Sequence, residues 1–250
     1  MRIAILALAA LPLFAQGTKI PRTADGKPDF SGIWQAGGIS LYGEEGAPNN
    51  PLRNRAAAPA TPAPKPEPPQ FFDAVEAKAK QFQANLMKDD PAARCLLPGV
   101  PRINGQPFPI QFVQTPKNVV ILYEAYRAYR LIPVDGSGHY EDAIPSFMGD
   151  SAGHYEGDTL VVDVNNFNGK IWMDGRGHEA SDEYHVVERW THKGDHIDYE
   201  ATLTDPKALK KPYVQRLTFR HPPQAGIRLQ EYECIDGNQD VQHLVGPGSK

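Results

Sequence analysis

From Gln111 to Cys234 the chain is a succession of short segments in which apolar and polar residues alternate, joined by turn residues. The segments are QFVQT (111–115), NVVILYE (118–124), RAYRLIP (127–133), DTLVVDV (158–164), EYHVVERWTH (183–192), DHIDYEATLTD (195–205), YVQRLTFR (213–220) and IRLQEYEC (227–234). Side chains along a strand point alternately to opposite faces. Ile197, Tyr199, Ala201 and Leu203 therefore share one face, and His196, Asp198, Glu200 and Thr202 the other. Gly157-Asp158 and Lys193-Gly194 are tight-turn signals. About eight strands with short links and no intervening helix predict a mostly β fold. The expected form is an antiparallel meander closing into a lipocalin- or calycin-like barrel, or folding into a sandwich.

Before the strands lies one helical pattern. In Gln70–Lys88, the residues Phe72, Val75, Ala79, Phe82 and Leu86 recur on one helical face, and Pro91 ends the run. Residues 47–69 are rich in Pro and Ala and carry little large apolar surface, which predicts an extended spacer. Phe30, Ile33 and Trp34 close a turn-rich segment expected to latch onto the domain. The expected organisation is a leader at 1–15, a latch segment at 16–46, a linker at 47–69 and one helix-plus-barrel domain at 70–250.

MRIAILALAALPLFAQ has the charge of Arg2, a short apolar run and a cleavage point near Ala15, as a secretory signal peptide does. It is too short to anchor in a hydrocarbon core of roughly 30 Å. The expected destination is the periplasm or the medium, with no membrane span. There the two cysteines, Cys95 and Cys234, would pair as one disulfide, with two free buried thiols as the alternative. A net charge of −4 and a basic cluster limited to Lys207–Lys211 argue against nucleic acid as a partner. No phosphate loop or dinucleotide fingerprint is present, and no cofactor is expected. The sequence leaves the oligomeric state open.

DDPAARCLLPGVPR (89–102), GHYEGDTLVVDVNNFN (153–168), SDEYHVVERW (181–190) and PRTADGKPDFSGIW (21–34) together resemble a widespread family of exported bacterial proteins of uncharacterised function. The resemblance covers most of the chain outside the leader and the Pro-rich stretch. It implies no activity, but it supports pairing Cys95 with Cys234. The chain departs from the family's usual residues at Asp150, His154 and Tyr155, where His, Arg and Trp are usual.

Polar residues concentrate in MDGRGHEASDEYHVVERW (173–190). His178, His185 and Glu188 could supply metal ligands, but on a strand His185 and Glu188 face opposite sides. The Asp/Asn-rich DVNNFNGKIWMDGRG lacks the regular spacing of a calcium loop. No metal is therefore expected. For acid–base chemistry, His185 or His178 would move the proton and Glu188 or Asp174 would orient it. Ser151 in GDSAG lacks the surroundings of a nucleophilic serine. Glu124, Arg127, Trp172, Trp190 and Tyr155 are the candidates for a binding pocket, an apolar cavity with a few polar groups. Arg127, Arg130 and Arg189 could pair with the strand carboxylates Glu124 and Glu188. Three functions follow: a module that binds an apolar or aromatic small molecule, an enzyme of hydrolase, lyase or isomerase type, or an envelope scaffold without a ligand.

Overall fold

The computed structural model describes residues 19–36, 67–85 and 87–236. The leader, most of the Pro-rich stretch and Leu86 lie outside the described residues. Among the described residues nine strands form the sheet: β1 (Gly32–Ala36), β2 (Ile110–Gln114), β3 (Asn118–Tyr123), β4 (Tyr129–Pro133), β5 (Asp150–Glu156), β6 (Thr159–Asn165), β7 (His185–His192), β8 (His196–Thr204) and β9 (Tyr213–Arg220). The order across the sheet is β4-β3-β2-β1-β9-β8-β7-β6-β5, and every neighbouring pair is antiparallel. β1 joins the two halves. Its first residues pair with β2 (Gly32↔Phe112 to Trp34↔Ile110), and its last with β9 (Gln35↔Arg220, Ala36↔Phe219). The sheet curls until β4 lies against β5, giving a nearly closed barrel.

The closure has a seam. Antiparallel neighbours alternate in direction, and an odd ring cannot alternate all the way round. Following the pairings from β4 through β1 to β5 shows that β4 and β5 run the same way. No ladder joins them. They nevertheless approach closely: a Cβ on Gly153 would lie 2.8 Å from Ile132 Cγ2 and 3.1 Å from Val134 Cγ1. Glycine is thus required there for space, not for its backbone freedom. The segment 134–149 passes from the end of β4 to the start of β5, the length of the barrel.

The same directions place the tight links at one end of the barrel, at 115–117, 157–158 and 193–195. The long connections fall at the other end. There the 3-10 helix Arg102–Gly105 is buried throughout and plugs the opening. A disulfide joins Cys95 to Cys234, with their Cα atoms 5.5 Å apart. It ties the segment that leads to the plug to the chain's last described residues.

Aromatic and aliphatic side chains fill the interior. Trp34, Phe112, Trp190, Tyr199 and Phe219 are at most 1% exposed. Trp190 packs against Phe112, Tyr199 and Phe219, with ring centroids 4.3–5.2 Å apart. His192, at the tight-link end of β7, lies against Phe30 and Trp34. Its Nδ1 accepts a hydrogen bond from the Gly194 N–H, so the ring is neutral with its proton on Nε2. Burial, with the neighbouring His221, lowers its pKa below the ordinary 6.5. Between those two values the unfolded chain takes up a proton that native His192 refuses, so stability falls as pH drops below about 6.5. Urea midpoints measured at pH 7 and pH 5 should show this loss, and His192→Phe should shrink it.

Two expectations about elements differ from the structure. IRLQEYEC is not a strand: residues 227–234 are irregular. β9, the strand before it, already has β8 on one edge and β1 on the other, so no ladder on β9 is open to it. Conversely, DSAGHYE forms β5 although it lacks an apolar alternation. Ile33 and Trp34 of the expected latch lie in β1, so that segment supplies a strand as well as packing. The helix α1 spans Asp73–Ala84, inside the expected range, and Phe72 at its N-cap is 41% exposed. Pro91 opens a 3-10 helix whose N-cap is Asp90.

Candidate functional site

The polar residues singled out in the sequence fall into separate clusters. The first is inside the barrel. β7 turns Val186, Glu188, Trp190 and His192 inward and His185 outward. Glu188 is fully buried, and so, nearly, is Arg130 of β4. Arg130 donates from Nη1 to Glu188 Oε1 (3.1 Å), and from Nη2 to Glu188 Oε2 (2.5 Å) and Ser151 Oγ (3.0 Å). Asn104 of the plug donates from Nδ2 to Glu188 Oε1 (2.9 Å), as does the Tyr199 hydroxyl (2.8 Å). The Tyr123 hydroxyl donates to Asn104 Oδ1 (2.8 Å). Such a charge pair is tolerable in an apolar interior because its oxygens and most of its N–H groups are bonded. Arg130 Nε is the exception, with no partner.

Electrostatics follow from this packing. Burial alone would weaken Arg130's hold on its proton, but Glu188 and Tyr123 outweigh it, so the guanidinium stays charged. Burial pushes the Tyr123 hydroxyl up to about 12, and burial with the neighbouring Glu188 raises that of Tyr199 well above the ordinary 10. Arg130 also bridges β4 to Ser151 of β5 and Glu188 of β7, across the seam that lacks a ladder. Ser151 is a strand residue that accepts from Arg130.

The second cluster is a hairpin at the long-connection end, where Trp172 bridges to Glu179. Asp174 is fully buried. Its Oδ1 accepts from the backbone N–H groups of Arg176 (2.7 Å) and His178 (3.3 Å), and its Oδ2 bonds His178 Nδ1. The His178 ring stacks on Phe71 at 3.8 Å, and Glu76 Oε2 of α1 lies 3.5 Å from its Nε2. Phe82 packs on Trp172 (4.8 Å), and Gln83 donates to the Arg176 carbonyl (2.9 Å), so α1 docks on this hairpin. Beside it is a groove of about 320 Å³. Val75, Ala180 and Ala208 give it an apolar lining, with Ala74 and Gly177 beside them and Lys78, Glu179, Ser181 and Lys207 as its polar members.

His185 belongs to a third cluster, on the outer face. Its Nε2 lies 2.7 Å from Asp163 Oδ2. His139 lies on the other oxygen of Asp163, as described below. The structure thus brings Asp174 and His178 together, places Glu188 with Arg130, and sets His185 with Asp163. Among the described residues, no group of three or more His, Cys, Asp or Glu side chains is arranged to hold a metal ion, and no helix is long and apolar enough to cross a membrane.

The candidate binding residues are also dispersed. Glu124 accepts from the Gln230 N–H (2.7 Å), and Arg127 pairs with Glu231 and Glu233. Both therefore hold the last described segment, together with the disulfide and the Phe108–Tyr232 ring contact. Trp190 is core, and Trp172 lies under α1. Tyr155 accepts from Gln114 Nε2 (2.7 Å), and burial raises its hydroxyl to about 12. Arg189 faces out, to Glu156 (2.9 Å).

No protein-family model, curated protein or solved structure matched the chain.

Asn104, Tyr199, Asp163 and His139 were not candidates in the sequence. Tyr199 read as ordinary core, and Asn104 sits in a Pro/Gly-broken stretch without periodicity. Asp163 did carry a signal, as the single acid within LVVDV.

Proposed function

We propose that this protein is an exported small-molecule-binding β-barrel module, of the same kind as the exported family its motifs resemble. The ligand is apolar or aromatic. The observation that supports this reading most is the groove between α1, the 171–180 hairpin and Ala208. Its apolar lining and few polar groups fit such a molecule. The barrel interior, filled by Trp34, Trp190 and Tyr199, is a less suitable place. Titration with the fluorescent apolar anion 1-anilinonaphthalene-8-sulfonate tests the assignment. The probe should bind saturably, raise the melting temperature through mass action, and lose about tenfold in affinity in Ala74→Trp, which fills the groove. Binding unchanged by that substitution would remove the groove from consideration.

A second reading, an acid–base enzyme, draws on Asp174 and His178. Asp174 fixes the His178 ring through Nδ1, as an orienting carboxylate does for a general base. That reading needs a substrate at Nε2, where Glu76 now lies.

A further inference from the structure

His139 sits in the first half of the segment 134–149 that crosses from β4 to β5. Its Nδ1 lies 2.7 Å from Asp150 Oδ2 on β5, and its Nε2 lies 2.8 Å from Asp163 Oδ1 on β6. A carboxylate only accepts, so both ring nitrogens must donate. Only the imidazolium carries two N–H groups. Other groups around this ring are the Tyr140 N–H, which also donates to Asp150 Oδ2 (3.1 Å), and His185 of β7, on the second oxygen of Asp163. Within the crossing segment, Asp135 turns away, to the Ser137 N–H (3.1 Å). The side chains of His139 and Asp150 are about three-quarters buried, and those of Asp163 and His185 are more exposed, at 42% and 38%.

We propose that His139 is a proton-operated clasp that pins residues 137–142 of the 134–149 crossing to β5 and β6, and that losing its proton releases those residues from the outside of the seam, while Ala143 and Ser146 stay bonded to 166–168. The neutral ring has one N–H and one lone pair. It can serve one carboxylate but turns a lone pair toward the other, so Asp150 or Asp163 lets go. The seam is where such a release matters, because no backbone ladder holds β4 to β5. Inside it, Arg130 bridges to Ser151; outside it, residues 137–142 are held through His139.

Partial burial disfavours the charged ring, but the hydrogen bonds to Asp163 and Asp150 outweigh it and raise the pKa above the ordinary 6.5. A raised pKa means that the clasp is closed below 6.5 and opens as pH rises through the higher folded value. Two measurements on the full chain test this. NMR titration should place the His139 ring's midpoint above 6.5. Amide protection factors across residues 137–142, corrected for intrinsic exchange, should fall about fivefold between pH 6 and pH 9, a local opening rather than global unfolding. His139→Gln should show the low protection at both pH values, whereas His185→Gln should keep the step. A His139 midpoint at or below 6.5 overturns the proposal. So does protection that ignores pH, or a pH step that survives His139→Gln.

Discussion

Arg130→Ala is expected to be among the most destabilising single substitutions in this protein. It leaves the Glu188 carboxylate in a fully buried site without its counter-charge. Removing one partner of a buried pair costs roughly 3–5 kcal/mol. For a domain of this size that corresponds to a fall in melting temperature of about 10 °C. The loss should exceed that of Arg189→Ala, whose side chain is exposed on the same sheet and pairs with the exposed Glu156, a contact that solvent screens. The double variant Arg130→Met/Glu188→Gln separates charge from volume. The Gln carbonyl can still accept from Asn104 and Tyr199, and no net charge is buried, so the pair should recover much of the loss. Thermal melts of the single and double variants at pH 7 check this. A double variant no more stable than Arg130→Ala would mean that the guanidinium's bridge to Ser151 across the seam, and not charge compensation, is what the barrel depends on.

The disulfide should show a comparable effect by a different physical route. Cys95 and Cys234 are 139 residues apart in sequence. Closing so long a loop removes conformational freedom from the unfolded chain, worth about 4–5 kcal/mol in the chain-entropy account. Cys95→Ala/Cys234→Ala should therefore lower the denaturant midpoint strongly. The reduced protein should also lose order at the plugged end. Arg127–Glu233, Glu124–Gln230 and Phe108–Tyr232 are surface or half-buried contacts, and the bridge keeps them in register. Titration of thiols in the unreduced, denatured protein should find none, and about two after reduction. An unchanged midpoint in the double alanine variant would show that those side-chain contacts suffice without the covalent tie.

The barrel was legible in the sequence where burial is one-sided. Along β7 and β8 the inward and outward residues alternate, so the strict period of two identified the two faces and put His185 opposite Glu188. It did not say which of them was inside. A charged residue on the apolar face looks improbable until its partner is known, and Arg130 is 58 residues away in sequence. β5 was hidden for a related reason. At the seam a glycine was needed for close approach and a serine for Arg130, so the strand's residues answer to neighbours across the barrel and not to a solvent–core alternation. The final segment misled in the opposite direction. IRLQEYEC has the alternation of a strand, but both edges of β9, the strand before it, are taken by β8 and β1, and which edges are taken depends on the ring as a whole. Of the candidate site, the pairing of Asp174 with His178 was accessible because the two are close in sequence and lie on one turn. His139 was not, since a histidine in a Gly/Ser-rich segment looks like a solvated loop residue until two acids converge on it.

The oddness of the strand count has a consequence for how such a barrel could change over time. Hairpins are gained or lost as two strands together, and removing β2 with β3, or duplicating β7 with β8, leaves the number odd. The same-direction contact between β4 and β5 would persist through every such change. A single inserted strand running against both would make the number even and let the ladder continue unbroken. Lengthening strands or enriching them in β-branched residues has no such effect. The seam is a property of the counting, and selection on individual residues can only staple it, as Arg130 does from within.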